Sequence, residues 1–138
     1  MVFSDLLMSS GLVINPNVYW ITFHGTYDFS YLLKVLINNS LPATSKEFLR
    51  YLRHIFPNIY DIKTMINDID ELKNHSLSRL GQEMDIQRKG ICHQAGSDAL
   101  LTLELFFEIC RVYFFKGIPD KHYNNIFGIS SEGAFSNY

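Results

Sequence analysis

The sequence feature that most constrains the fold is the long segment 97–115, which is apolar on most sides of a helix. Such a helix needs other elements around it, so it predicts part of a core. Two shorter runs, 18–23 and 58–62, are β-branched or aromatic and are bounded by Asn, Pro or Gly, which predicts buried strands. Because helical patterns separate these strands, we predict an α/β domain with parallel strands.

The remaining helices are predicted from apolar spacing and from residues that begin or end helices. Gly11 suits the end of a first helix, Thr44 or Ser45 can cap a later one, and Pro57 stops it. These patterns predict helices over residues 5–10, 28–37, 46–56, 63–72 and 76–84, with a loop over 87–96 before the long helix. We assign 1–128 to one domain and 129–138 to a flexible tail.

Composition constrains the cellular setting more than the partner. Twelve basic and fourteen acidic residues give a net charge of −2, so no global field indicates nucleic acid, although bound cations can offset an acidic surface. Cys92 and Cys110 lack zinc-site spacing and are expected to be buried free thiols. The N-terminus does not read as a signal peptide and no run reaches the ~18 apolar residues of a membrane span. We expect no membrane contact and a cytoplasmic and nuclear location.

Two short motifs carry the candidate chemistry. His93, Ala95 and Asp98 form an HxAxxD pattern where a loop enters the long helix, and Asp28 follows Thr26-Tyr27 where a helix begins after the first strand. Taken singly, each acidic residue has an alternative interpretation: a carboxylate in the first turn of a helix is favoured by the helix dipole. Ser97 with Asp98 can likewise be only a helix cap and a first-turn acid.

Together these motifs resemble a known nuclease family. HxAxxD is similar to the third exonuclease motif of the DEDDh nucleases, and Thr26-Tyr27-Asp28 to the second. The longer strings FHGTYDFSYLLKVL, FPNIYDIK and GICHQAGSDALLT resemble the Caf-type deadenylases, catalytic subunits of the CCR/NOT complex that shorten mRNA poly(A) tails from the 3′ end. The resemblance covers roughly Asp5 to Gly128 and implies a partial RNase H-like (DEDD exonuclease) fold that lacks the first strands of the sheet.

The resemblance also implies the site chemistry. It assigns Asp28 and Asp98 to the binding of two divalent cations, Mg²⁺ or Mn²⁺, and His93 to deprotonation of the attacking water. The implied substrate is the 3′ end of poly(A) RNA. Implied protein partners are a NOT-type scaffold protein and a second deadenylase subunit.

This chain departs from the family pattern in its first motif. The family has an Asp-x-Glu on an early strand, and no equivalent stands upstream here; Asp68-Ile69-Asp70 follows the second strand and cannot replace it. We therefore expect two of the four acidic ligands, weak or no catalysis by this chain alone, and an unpaired edge on the first strand. The alternative function is an inactive adaptor that keeps the deadenylase fold within a CCR/NOT-type complex.

Two further residues lie near the motifs. Asp61 follows Tyr60 near the end of the second strand, where a structural hydrogen-bonding role is favoured over metal binding. His24 either approaches the site or is satisfied by backbone. His54, His75 and His122 have no partners at useful spacing and are expected at the surface.

Overall fold

Two short parallel strands form the sheet of the structure, a computed structural model that describes residues 2–129. β1 (Trp20–Thr22) pairs with β2 (Ile59–Asp61), and Thr22 stands opposite Asp61 in the register. Both strands lie within the predicted runs, so the strands and their parallel pairing are confirmed. In the described part of the chain β1 has β2 as its sole strand neighbour, which leaves the unpaired edge that the sequence predicts.

Six α-helices and a short 3-10 helix surround this sheet within residues 2–129. The predicted caps form, because Oγ1 of Thr44 and Oγ of Ser76 each accept a backbone N–H three residues further on. The helices are α1 (Phe3–Ser9), α2 (Thr26–Ile37), α3 (Ser45–Ile55), α4 (Ile62–Ile66), α5 (Leu77–Glu83), α6 (Ala95–Tyr113) and the 3-10 helix Asp120–His122.

The sheet separates two hydrophobic clusters. Alternate strand residues point to opposite sides, so Ile59 packs with α2 and α3, whereas Ile21 and Tyr60 pack towards α4, α5 and α6. The first cluster is centred on Phe29, Leu33, Phe48, Leu52 and Phe56, and the second on Met65, Ile66, Leu80, Leu101 and Leu105. The two strands are therefore the central layer of three.

The helix predicted over 63–72 is wrong in length. α4 ends at Ile66, and the chain continues in turns in which the N–H of Ile69 bonds to Ile66 and that of Leu72 to Ile69. Apolar Ile69 and Leu72 still reach the core, which explains the helical pattern in the sequence. Within these turns the side chain of Asp68 forms an ion pair with Lys121.

The long helix is buried along one side and not around its whole circumference. It spans Ala95–Tyr113, two residues earlier than predicted at each end, and buries Leu101, Leu105 and Ile109. Phe107 is 63% exposed on the opposite side. The expectation that α6 is enclosed on most sides is therefore wrong for the described residues.

Asp61 connects three segments from a fully buried position at the end of β2. Its Oδ1 accepts the backbone N–H groups of His24 at 2.7 Å and Lys63 at 3.0 Å, and its Oδ2 accepts those of Gly25 and Phe127, each at 3.1 Å. Burial raises the pKa of Asp61, while the four N–H bonds act in the opposite direction. The structural role predicted for Asp61 is confirmed.

His122 is buried, contrary to its predicted surface position. Its Nε2 lies 3.2 Å from Oδ2 of Asp68, within ion-pair distance but not aligned for a hydrogen bond, and its ring packs on Phe114. Burial lowers the pKa of His122 below its ordinary value, and the Asp68 carboxylate opposes this while Lys121 adds to it. His122 is therefore held neutral over a wider pH range than a free histidine.

Three other expectations concern the cysteines, the membrane and the tail. Cys110 is half-buried, and burial raises its pKa, but Cys92 is exposed, so the prediction of two buried thiols is wrong for Cys92.

Between residues 2 and 129 no helix has both the length and the apolar content to cross a bilayer. Ile129, the first residue of the predicted tail, is buried, and 130–138 lie outside the described residues.

We expect Asp61→Ala to lower the free energy of unfolding by about 3 kcal/mol or more, since it leaves four backbone N–H groups without their acceptor. Urea denaturation of the variant and the parent chain measures the difference. Glu71→Ala, at an exposed acidic residue, is the control and should change stability by less than ~0.5 kcal/mol. A loss at Asp61 no larger than that of the control would contradict this role.

Stability should fall as the pH drops below about 6.5, the ordinary pKa of histidine, because the unfolded chain then binds a proton that folded His122 resists. Denaturation midpoints at about pH 7.5 and 5.5 measure this loss. In His122→Gln the denaturation midpoint should change less between the two pH values than in the parent chain. In His54→Gln, at an exposed position, the midpoint should change with pH as much as in the parent chain. Equal changes in the two variants would refute the assignment of this pH dependence to His122.

Candidate active site

The turn between β1 and α2 places Asp28. His24 has a left-handed backbone with φ of 58°, and Gly25 is the N-cap of α2. A Cβ on Gly25 would lie 2.5 Å from Oγ1 of Thr22, so no larger residue fits without a shift. Asp61 holds both backbone N–H groups of this turn. Asp28 then stands in the first turn of α2, as predicted, where its charge is favoured by the helix dipole. Its side chain is exposed.

Asp98 lies in the first turn of α6 and is paired with an arginine. Nη1 of Arg88 forms an ion pair with Oδ1 of Asp98 and donates to Oγ of Ser97 at 3.2 Å, while Nη2 donates to Oγ of Ser78 at 3.1 Å. The side chain of Arg88 is 18% exposed and that of Asp98 34%. Arg88 therefore joins α5 to the start of α6 and fixes the Asp98 carboxylate.

His93 lies in the loop before α6. Its backbone is left-handed, with φ of 65°, and Gly90 in the same loop has φ of 87°. The ring is exposed, and within residues 2–129 it forms no hydrogen bond with another side chain or the backbone. The structure thus leaves His93 accessible to a substrate without fixing its orientation.

The described residues do not by themselves fit a two-metal centre. Asp28 and Asp98 have the hard oxygen donors that Mg²⁺ and Mn²⁺ prefer. Across residues 2–129, however, no three His, Cys, Asp or Glu side chains converge as metal ligands, and Arg88 already neutralises Asp98. Within the described chain no hydrogen bond or ion pair joins Asp28, His93 and Asp98, so their shared site stays a prediction.

Other residues around the turn stabilise the structure. Asp61 uses both carboxylate oxygens for backbone groups, and the ring of His24 packs edge-on against Phe127 at a centroid distance of 5.1 Å. Arg88 and Phe127 were not identified from the sequence. Arg88 is ten residues before Asp98 in an irregular loop, where no periodic pattern links the two.

Residues 12–106 match the sequence model described as CAF1 family ribonuclease, a range that includes Asp28, His93 and Asp98. The chain belongs to the CAF1 ribonuclease family. This confirms the family that the motifs indicate.

Individual relatives agree with the assignment. The chain is 44% identical over 132 residues to a probable CCR4-associated factor 1 homolog 7 of Arabidopsis thaliana, covering 96% of this chain and 47% of that protein. It is 44% identical over 133 residues to the poly(A) ribonuclease pop2 of Schizosaccharomyces pombe, covering 96% of this chain and 39% of that one. The chain thus spans about half or less of the length of these CAF1 relatives.

Solved structures confirm the fold. The Mg²⁺- and Mn²⁺-bound form of S. pombe Pop2p matches with a TM-score of 0.86 and 43% identity, over 91% of this chain and 49% of that one. A chain in the structure of the yeast NOT1 MIF4G domain co-crystallised with CAF1 matches with a TM-score of 0.81 and 32% identity, over 91% of this chain and 52% of that one. The α/β, partial RNase H-like fold predicted from the sequence is therefore correct.

Arg88→Met should lower stability by about 1–2 kcal/mol, because it removes a largely buried cation that satisfies Asp98, Ser97 and Ser78. Arg111→Met breaks the ion pair with Glu108, in which the Arg111 side chain is 71% exposed, and should cost less than ~0.5 kcal/mol. Chemical denaturation of both variants gives the comparison. Equal effects would show that the Arg88 contacts do not hold the start of α6.

Proposed function

We propose that this chain is part of a 3′-to-5′ exoribonuclease that shortens poly(A) tails. The observation that carries the proposal is the CAF1 family match, which extends across both acidic motifs and His93. A relative named as a poly(A) ribonuclease is 44% identical over nearly the whole chain. Since the chain spans about half or less of such relatives, the activity is proposed for the domain to which it contributes.

In this proposal Asp28 and Asp98 bind Mg²⁺ or Mn²⁺ together with carboxylates from outside residues 2–129. The related Pop2p structure has both ions bound, which supports the choice of metal. When bound, the cations would stabilise charge on the oxygens of the scissile phosphodiester. A cation at Asp98 would compete with the Arg88 guanidinium for the same carboxylate oxygen.

His93 is assigned the proton transfer. A histidine titrates near neutral pH, so it can accept a proton from water at the scissile phosphate. Its exposed position between Gly90 and α6 gives the ring access to a bound RNA end. The proposed product is an RNA shortened from its 3′ end.

The proposed partners follow from the structural and sequence relatives. A CAF1 structure was solved with the NOT1 MIF4G domain, which supports a NOT-type scaffold as a partner of this chain. A second deadenylase subunit is proposed because relatives are named as CCR4-associated factors. We propose a cytoplasmic and nuclear location for such a complex.

The decisive experiment follows poly(A) tail length over time with Mg²⁺ or Mn²⁺. The 138-residue chain should not shorten the tail, because residues 2–129 supply too few acidic ligands. A longer form with a family-like upstream half should shorten it, and Asp98→Ala should abolish that activity. An inactive longer form would refute the exoribonuclease proposal and leave the adaptor function. Shortening by the 138-residue chain that Asp98→Ala abolishes would place the missing ligands elsewhere.

In the longer form, His93→Ala should lower the rate of shortening by about 10²-fold or more with little change in metal affinity, as expected for the loss of a general base. Rates and Mn²⁺ binding are measured on the same preparation. His75→Ala, outside both motifs, is the matched control and should retain the parent rate. An unchanged rate for His93→Ala would leave His93 a structural residue.

A further inference from the structure

We infer that the solvent-facing side of α3 binds the phosphate backbone of single-stranded RNA. The surface, here called the α3 ridge, consists of Lys46, Arg50 and Arg53 and is flanked by Tyr51. This inference rests on the proposed function, because it takes the bound RNA to be the substrate strand.

The α3 ridge is one face of a strongly amphipathic helix. Phe48, Leu49, Leu52 and Ile55 are buried in the first hydrophobic cluster, whereas the ridge residues are exposed. Spacings of four and three residues place the three cations in one line along the helix. At about 1.5 Å of rise per residue the line is roughly 10 Å long, which suits contacts with successive phosphates of an extended strand.

Within residues 2–129 the ridge cations have no carboxylate partner, which is also true of four of the other nine cations of the chain. Five of the twelve Lys and Arg side chains form ion pairs, namely Lys73, Arg88, Lys89, Arg111 and Lys121. Within residues 2–129 none of the ridge cations does so, although Glu47 lies on the same helix. The ridge therefore places three cations without an ion-pair partner beside the single carboxylate of Glu47, in a chain whose net charge is −2.

Three hollows lie along the ridge. A hollow of about 660 Å³ is lined by all three ridge cations. Arg50 also lines a hollow of about 400 Å³ beside Tyr51, and Arg53 also lines one of about 590 Å³ that extends to Phe127. Neighbouring hollows thus share a ridge cation, and the carboxylates of Glu47 and Asp68 line them as well.

The hollow that extends to Phe127 lies beside the start of α2. The carbonyl oxygen of Phe127 accepts a hydrogen bond of 2.6 Å from Oγ1 of Thr26, in the first turn of α2 and two residues before Asp28. A strand bound along the ridge would thus approach the first turn of α2.

An exposed aromatic ring favours RNA over an acidic protein segment. Tyr51 is 43% exposed, and the Arg50 guanidinium carbon lies 5.8 Å from the centre of its ring. Cationic grooves combined with accessible aromatic rings bind single-stranded nucleic acid by pairing phosphate contacts with base stacking. An acidic peptide would use the cations but would have no base to stack on Tyr51.

The test measures binding of a labelled oligo(A) RNA to the 138-residue chain by fluorescence anisotropy in EDTA, between about 50 and 200 mM salt. K46Q/R50Q/R53Q should weaken binding about 10-fold or more at low salt. It should also lower the slope of log Kd against log[salt] by about 2, as expected for three single-strand phosphate contacts. Tyr51→Ala should weaken binding about 5-fold or more and leave the slope unchanged.

K34Q/R79Q/K116Q is the matched control, because it removes three exposed cations that also have no ion-pair partner within residues 2–129. It should change affinity less than about twofold. Equal weakening by both triple variants, or no binding by the parent chain at low salt, would overturn the inference. So would poly-glutamate that binds as tightly as oligo(A) and depends on the same ridge residues, which would indicate an acidic protein partner. Thermal denaturation confirms that each variant is folded.

The longer form separates this inference from the proposed function. If it shortens poly(A) while K46Q/R50Q/R53Q binds oligo(A) as tightly as the parent, the inference fails and the exoribonuclease proposal stands. If the ridge variant loses RNA affinity but the longer form is inactive on poly(A), the α3 ridge is an RNA-binding surface and the exoribonuclease proposal fails.

Discussion

The arrangement around the candidate site depends on one buried carboxylate. Asp61 is fully enclosed at the end of β2 and accepts backbone N–H groups from the turn before α2, from the start of α4 and from the segment at Phe127. Without Asp61 these groups would lose their acceptor, at a cost of about 1–3 kcal/mol for a fully buried donor; the bond from Gly25 is buried and the other three are part-buried. The carboxylate therefore fixes the turn that presents Asp28 and holds Phe127 over the same turn.

Asp98, the second acidic residue of the candidate site, is held by an ion pair and not by backbone hydrogen bonds. Asp98 is satisfied by the Arg88 guanidinium, which also reaches Ser78 on α5. A cation beside Asp98 is therefore part of the described structure, and a divalent metal at this carboxylate would replace one positive charge with another. The two predicted ligands thus differ: Asp28 is exposed, and Asp98 already has a partner.

Local sequence patterns predicted the elements but not the contacts between distant parts of the chain. The strands, the caps at Thr44 and Ser76 and the first-turn positions of Asp28 and Asp98 follow from residue type and spacing over a few positions. The family strings added the chemistry expected of the motifs. The sequence also predicted a hydrogen-bonding role for Asp61, since a carboxylate at a strand end commonly accepts backbone donors.

The errors have a common physical origin. The end of α4 is set by turns that still bury Ile69 and Leu72 in the core. The burial of His122 and the contact of Arg88 with Asp98 likewise depend on tertiary packing, which residue spacing does not encode. For Cys92 the general tendency of free cysteines to be buried gave the wrong expectation, because its loop is at the surface.

Amide hydrogen exchange tests most directly whether Asp61 organises this part of the fold. The amides of His24, Gly25, Lys63 and Phe127 should exchange only through global unfolding, as slowly as those inside α2 such as Leu33, because all four donate to a fully buried carboxylate. Exchange of the His24 and Gly25 amides orders of magnitude faster than that of Leu33 would show that the turn opens independently. That result would contradict the role of Asp61 in fixing the position of Asp28.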